Sequence, residues 1–188
     1  MSALGDALRS IATALGSVQA AWYVFGAQAV AVRGAPRSTQ DLDVTVRVDR
    51  GGRAALMTAL GAAGLRPRYP DLAEALLAAG AVIPLVHHAT GFEVDLVLAG
   101  SGLEDLALSR ATIELLDGVS VPVATATDLA VMKTLAGRGK DLDDLRALLA
   151  GGTVDAAEVR DLLGQLEEAL GQSDLLPAFE SAVRDTEG

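Results

Sequence analysis

Asp41 and Asp43 stand two apart in Asp41-Leu42-Asp43-Val44-Thr45-Val46, a run that otherwise reads as a β-strand. Residues i and i+2 of a strand share a face. The two carboxylates can therefore offer their oxygens together to one hard divalent cation such as Mg²⁺, while Leu42, Val44 and Val46 turn towards a core. An isolated Asp-x-Asp is weak evidence, because a solvated strand edge accounts for many of them. Here the rest of the strand is apolar, and two carboxylates on its other face repel unless a cation or a donor satisfies them. Asp95 lies in a second alternating run, Phe92-Glu93-Val94-Asp95-Leu96-Val97. From a neighbouring strand it could share the metal and take the proton from an attacking hydroxyl. Glu93 competes for that role; Asp95 is favoured because it sits deeper in the apolar run.

Two further groups could meet phosphate. Gly26 stops the aromatic and β-branched strand Trp22 to Phe25 and opens onto a short helical stretch, Ala27 to Val32. Backbone N–H groups at Gly26 and Ala27 could hold phosphate oxygens there, assisted by the field of the helix N-terminus. The alternative is an ordinary strand-to-helix turn. Gln28 could add a side-chain donor, Arg37 is a reasonable phosphate contact, and Thr39 fixes the loop before Asp41. The second group is Lys133-Thr134-Leu135-Ala136-Gly137-Arg138-Gly139-Lys140-Asp141-Leu142-Asp143-Asp144-Leu145. Lys133 and Lys140 are the only lysines in the chain, and both flank a Gly-Arg-Gly loop, which suggests cations that meet phosphate oxygens. The bland reading is a helix end whose cations complement the macrodipole, followed by an acidic first turn; both can hold. Asp141 can N-cap the following helix, and Asp144 can pair with Arg138 or Lys140. His87 and His88 are adjacent on a predicted strand, face opposite ways, and are read as structural.

The elements that must position these residues follow from periodicity. Leu4, Leu8, Ile11 and Leu15 mark an amphipathic helix from about Ser2 to Leu15. Leu42 to Val48 is read as a strand, Gly52 to Ala63 and Leu72 to Ala79 as helices, with Asp71 a plausible N-cap. Ala81 to His88 and Phe92 to Leu98 form a hairpin around Ala89-Thr90-Gly91. Leu103 to Ser109 is a helix, and Thr112 to Ala124 a second hairpin around the turn dipeptide Asp117-Gly118. Beyond it the pattern is helical throughout: Asp128 to Leu135, Leu142 to Leu149, Ala156 to Leu170 and Leu175 to Val183. The expected organisation is a mixed α/β front over residues 1–125 and a helical rear over 126–188.

Composition narrows the function classes. With 188 residues, 51% of them apolar, the chain can bury one substantial core. An excess of 25 acidic over 15 basic residues, net charge −10, argues against coating nucleic acid by charge alone. The absence of cysteine excludes disulfides and thiolate metal sites. No stretch approaches the roughly 20 apolar residues needed to span a bilayer, so no membrane role and a cytoplasmic location are expected.

Gly26-Ala27-Gln28-Ala29, then Arg37-Ser38-Thr39-Gln40-Asp41-Leu42-Asp43, then Phe92 to Val97, then the lysine and aspartate pattern from Lys133 to Leu145, together resemble the polymerase-beta-like nucleotidyltransferase superfamily. The branch most similar holds the AbiEii-like toxins, the MenT-type toxins and related small nucleotidyltransferases; the resemblance covers roughly residues 20 to 150. It implies an α+β fold, with a short mixed β-sheet flanked by helices followed by a small C-terminal helical domain. It also implies that Asp41 and Asp43 bind Mg²⁺, or Mn²⁺ in its place, that Asp95 is the third carboxylate, and that Lys133, Lys140 and Asp141 hold the triphosphate or complete the site. The implied activity moves an NMP from an NTP to an acceptor hydroxyl. The acceptor would be RNA, such as a tRNA 3′ end, with a cognate antitoxin encoded nearby, or a small hydroxylated molecule of antibiotic type. A nucleotide-binding module without turnover is the remaining alternative. The family turn is usually Gly-Gly or Gly-Ser, whereas this chain has Gly26-Ala27.

Overall fold

A computed structural model describes residues 2–34, 39–80, 82–100 and 102–187. It divides into two compact units, residues 1–28 with 38–124 and residues 29–37 with 125–188. In chain order the elements up to residue 124 are α1 (Ala3–Ser17), β1 (Trp22–Phe25), α2 (Gly26–Val32), β2 (Asp41–Val46), α3 (Arg53–Ala62), β3 (Leu65–Pro67), α4 (Pro70–Ala79), β4 (Ile83–His87), β5 (Glu93–Leu98), α5 (Gly102–Arg110), β6 (Thr112–Leu116) and β7 (Val119–Val123). The strands form one seven-stranded sheet in the order β3-β4-β5-β2-β1-β7-β6. It is mixed: β2 runs parallel to β5 and β1 to β7, and the remaining neighbours are antiparallel.

Register shows what each side of the sheet carries, because directly paired residues project from the same face. Val24, Val44, Leu96 and Ile83 are paired in a row across β1, β2, β5 and β4, and all four are fully buried. Each such side chain contributes roughly 1.5–3 kcal/mol on removal from water. Leu8, Ile11 and Leu15 of α1 and Leu56 and Leu60 of α3 add to the core. Ser10 on α1 reaches Nε2 of the buried His87 at 3.2 Å, and Nδ1 of His87 meets Thr90 Oγ1 at 2.8 Å. His87 thus links a core helix to the β4–β5 turn, whereas His88 is exposed.

The opposite face carries the carboxylates. One row there is Phe25, Asp43, Asp95 and Pro84; the next is Asp41, Glu93, Val86 and Arg66. The helix α4 buries none of its residues, and the guanidinium of Arg53 holds its C-terminal turn through the carbonyls of Leu77 and Ala78.

The second unit is helical, with α6 (Ala126–Ala136), α7 (Gly139–Ala150), α8 (Ala156–Leu170) and α9 (Leu175–Glu187). Thr125 caps α6 by accepting the Asp128 N–H at 3.1 Å, so the helix begins before the expected Asp128. Gly137, at φ 62°, ends it in the left-handed conformation that favours glycine. Asp155 caps α8 through the N–H groups of Ala157 and Glu158. Leu145, Leu148, Val159, Leu163 and Phe179 are fully buried. Arg160 pairs with Glu180 at 2.6 Å while lying 5.7 Å above the Phe179 ring.

Further expectations need correction. Asp71, read as an N-cap, lies inside the first turn of α4, and Tyr69 holds the cap position. The strand holding the acid pair begins at Asp41 and stops at Val46 rather than running from Leu42 to Val48. β3 was not anticipated, because three residues ending in proline carry no period to read. α7 starts at Gly139 with Arg138 as its N-cap, so Asp141 lies inside the first turn instead of capping it.

Candidate active site

The glycine turn and the acid strand meet in one place. Phe25, the last residue of β1, pairs with Asp43 of β2, so the chain turns at Gly26 directly beside the Asp43 carboxylate. Gly26 has φ +67°, and a Cβ built there would lie 1.9 Å from Asp43 Oδ2 and 2.6 Å from its Cγ. Glycine is required twice over, by backbone conformation and by the space that the carboxylate fills. Ala27 and Gln28 follow in α2 and are buried; Gln28 Nε2 lies 3.5 Å from the Asp41 carbonyl oxygen, linking the turn to the start of β2.

β2 and β5 then set four carboxylates side by side. Asp41 is in register with Glu93 and Asp43 with Asp95, on strands about 4.8 Å apart. Asp41, Asp43 and Asp95 are half-buried and Glu93 is exposed. Thr39 donates its hydroxyl to Asp41 Oδ1, which orients that carboxylate. Arg68, just beyond β3, spans Glu93 and Asp95: its Nη2 is 2.6 Å from Asp95 Oδ1, and its Nη1 donates to Glu93 Oε2. The backbone N–H of Arg68 is anchored on the Pro84 carbonyl at 2.8 Å.

A cleft of about 510 Å³ opens beside the acids. Thr39, Gln40 and Asp41 line one side, and Thr90, Gly91, Phe92 and Glu93 the other. That volume lies in the range of small-molecule sites, with hydroxyls, an aromatic ring and two carboxylates on its walls.

The donor set is oxygen only, which suits a hard cation, and Mg²⁺ commonly takes one or two carboxylates and completes its shell with water and substrate phosphates. Asp41 and Asp43, on one face of one strand, fit that requirement. Among the described residues no group of three or more acidic or imidazole side chains is arranged to hold a metal ion; Asp95, the expected third, is engaged by Arg68.

Arg37 lies outside the described residues. Lys133, Arg138, Lys140 and Asp141, also expected to meet phosphate, fall in the second unit, where Lys133, Arg138 and Asp141 join Asp144 in a charge network. Lys133, 7% exposed, is held between Asp141 Oδ1 at 2.9 Å and Asp144 Oδ2 at 2.7 Å. Arg138 also donates to Asp141 while most of its side chain remains exposed, and Lys140 is exposed. Burial pushes the Asp141 carboxyl up, but the hydrogen bonds and charges of Arg138 and Lys133 outweigh it and hold the group below its ordinary 3.8. Asp144 pairs at 2.7 Å with Lys133, from the preceding helix, a partner that spacing did not suggest.

Sequence reasoning missed Arg68. Arginines are frequent in this chain, and only the pairing of β3 with β4 and of β4 with β5 brings residue 68 over residues 93 and 95.

No family model matches the chain, and no curated protein matches it by sequence. Solved structures do. An antigenic nucleotidyltransferase-like protein from Paracoccidioides brasiliensis matches 95% of this chain over 91% of its own, with TM-score 0.54 at 16% identity. The solution structure of the antibiotic-resistance factor ANT(2'')-Ia matches 100% of this chain over 97% of its own, with TM-score 0.53 at 14% identity. The chain has a nucleotidyltransferase-like fold. ANT(2'')-Ia in complex with adenylyl-2''-tobramycin matches it likewise, over 93% of this chain and 95% of its own, with TM-score 0.51 at 15% identity. The mixed sheet and the helices following it agree with the expected fold class. Among the described residues no helix is long and apolar enough to cross a membrane.

Proposed function

We propose that the protein is a Mg²⁺-dependent nucleotidyltransferase that moves an NMP from an NTP to a hydroxyl of a small acceptor. The observation that carries this reading is the placement of Gly26 against the Asp43 carboxylate, with Asp41, Glu93 and Asp95 in register around it. A turn that admits no side chain sets the backbone at Gly26 against two carboxylates facing the same way, so that N–H groups for a phosphate and oxygens for its cation come together.

In this reading Asp41 and Asp43 hold Mg²⁺, Thr39 orients Asp41, and the N–H groups of Gly26 and Ala27 face phosphate oxygens. When bound, Mg²⁺ supplies Lewis-acid chemistry, making the acceptor hydroxyl more acidic and neutralising charge on the triphosphate. The acceptor oxygen forms a bond to the α-phosphorus as the bond to the β-phosphate oxygen breaks. Pyrophosphate leaves, and the hydroxyl proton passes to Asp95.

The cleft beside Asp41 favours a small hydroxylated acceptor. Its carboxylates would attract cationic groups, and a net charge of −10 opposes an RNA backbone. Transfer to a tRNA 3′ end under the control of an antitoxin is the reading that the toxin-like branch suggests, and the same experiment tests it. Purified protein, Mg²⁺, each NTP and either a panel of hydroxylated amines or total tRNA are incubated and analysed by mass spectrometry. A mass increase of one NMP on a small acceptor is expected; an increase confined to tRNA would replace the acceptor assignment, and no modified product with any NTP would contradict the activity.

A further inference from the structure

We propose that Arg68 is the resting counter-ion of the carboxylate face, and that its guanidinium competes with the divalent cation for Asp95. The inference rests on the metal role proposed for Asp41 and Asp43.

Four carboxylates in two adjacent register pairs repel one another unless positive charge lies among them. Arg68 supplies such a charge. Its two terminal nitrogens engage two different carboxylates, Glu93 and Asp95, so the planar fork bridges the register positions beside Asp41 and Asp43. A cation held by Asp41 and Asp43 would therefore meet a third carboxylate already occupied, with a like charge one strand away. Binding the metal and moving Arg68 off Asp95 are then linked.

The hold is built to be released. Arg68 Nε is buried and makes no hydrogen bond among the described residues. Removing that donor from water without a partner cancels part of what the two ion pairs contribute. The Arg68 side chain keeps 23% of its surface exposed, and Glu93 keeps 50%, so the guanidinium can swing into solvent without opening a core. Its backbone stays tethered by the 2.8 Å bond to Pro84. The helix that follows, α4, buries none of its residues and does not lock the segment.

The test is Mn²⁺ binding to the full chain, read by the electron paramagnetic resonance of the free ion, a measurement that needs no turnover. Arg68→Ala is expected to tighten Mn²⁺ binding by at least about tenfold, the size expected when a like charge within one strand spacing is removed at a half-buried site. Arg68→Gln, which keeps most of the stem and a hydrogen-bonding end, should tighten it similarly. Arg68→Lys should restore affinity towards wild type, which loss of packing alone would not do. In an Asp95→Asn background the gain from Arg68→Ala should shrink, since the contested carboxylate is gone. Unchanged or weaker binding in both neutral variants would overturn the proposal. If Mn²⁺ binding disappears in Asp41→Asn/Asp43→Asn but ignores Arg68, the metal site stands and this inference alone falls. If no form binds Mn²⁺, both fall.

Discussion

Gly26→Ala puts the site geometry to a quantitative test. The residue adopts φ +67°, where an L side chain costs roughly 1–2 kcal/mol of backbone strain. The new methyl would also stand 1.9 Å from Asp43 Oδ2 and 2.9 Å from Asp43 Cβ. Carbon and oxygen cannot approach so closely, so the carboxylate must retreat by roughly 1 Å, a displacement that can cost about 10²-fold in rate when it moves a reacting group. Stability should fall by about 1–3 kcal/mol in urea denaturation, and transfer should fall by about 10²-fold. Gly118→Ala is the control. Gly118 also has positive φ, +77°, but a Cβ there meets nothing within 4 Å. It should lose only about 1–2 kcal/mol of stability and keep its rate. If Gly26→Ala retains wild-type transfer, or loses no more activity than Gly118→Ala, the assignment of the turn to the active site is wrong.

Asp41→Ala and Asp43→Ala should each abolish transfer while changing the unfolding free energy in urea by no more than about 0.5 kcal/mol in either direction, because removing one of several clustered like charges costs little. Asp141→Asn should cost the helical unit on the order of 1–3 kcal/mol in thermal or urea unfolding, since it strips one of two carboxylates from the buried Lys133, which keeps Asp144. Its pH dependence carries a sign. The folded carboxyl lies below its ordinary 3.8, so the stability it contributes is complete above that value and is lost as pH falls through the lower folded one. The variant should show a flatter acid limb below pH 3.8. His87→Ala should lower stability by about 1–3 kcal/mol through loss of the Ser10 and Thr90 contacts, with no change in Mn²⁺ affinity.

What could be read in the sequence was what repeats locally. Leu42, Val44 and Val46 alternate with Asp41, Asp43 and Thr45, and that period alone placed the acid pair on the face opposite the core. Glu93 and Asp95 were placed by the same alternation. Asp117-Gly118 marked the β6–β7 hairpin because both residues adopt positive φ, 48° and 77°. What could not be read depended on partners distant in sequence. That Gly26 abuts Asp43 requires β1 to pair with β2 in a particular register. Lys133 looked like a cation for phosphate, yet its two carboxylates come from the next helix, and only helix packing turns it inwards. Arg68 follows a three-residue strand with no pattern of its own, and its place over Asp95 emerges from two successive strand pairings.

The central claim is Mg²⁺-dependent chemistry at Asp41 and Asp43, and release of pyrophosphate from NTP in the presence of hydroxylated acceptors measures it most directly. Wild-type protein should release pyrophosphate only with Mg²⁺ or Mn²⁺ present, and Asp41→Asn/Asp43→Asn should release none while remaining folded by circular dichroism. Equal release by the double variant, or no release from any NTP by the wild type, would contradict the account.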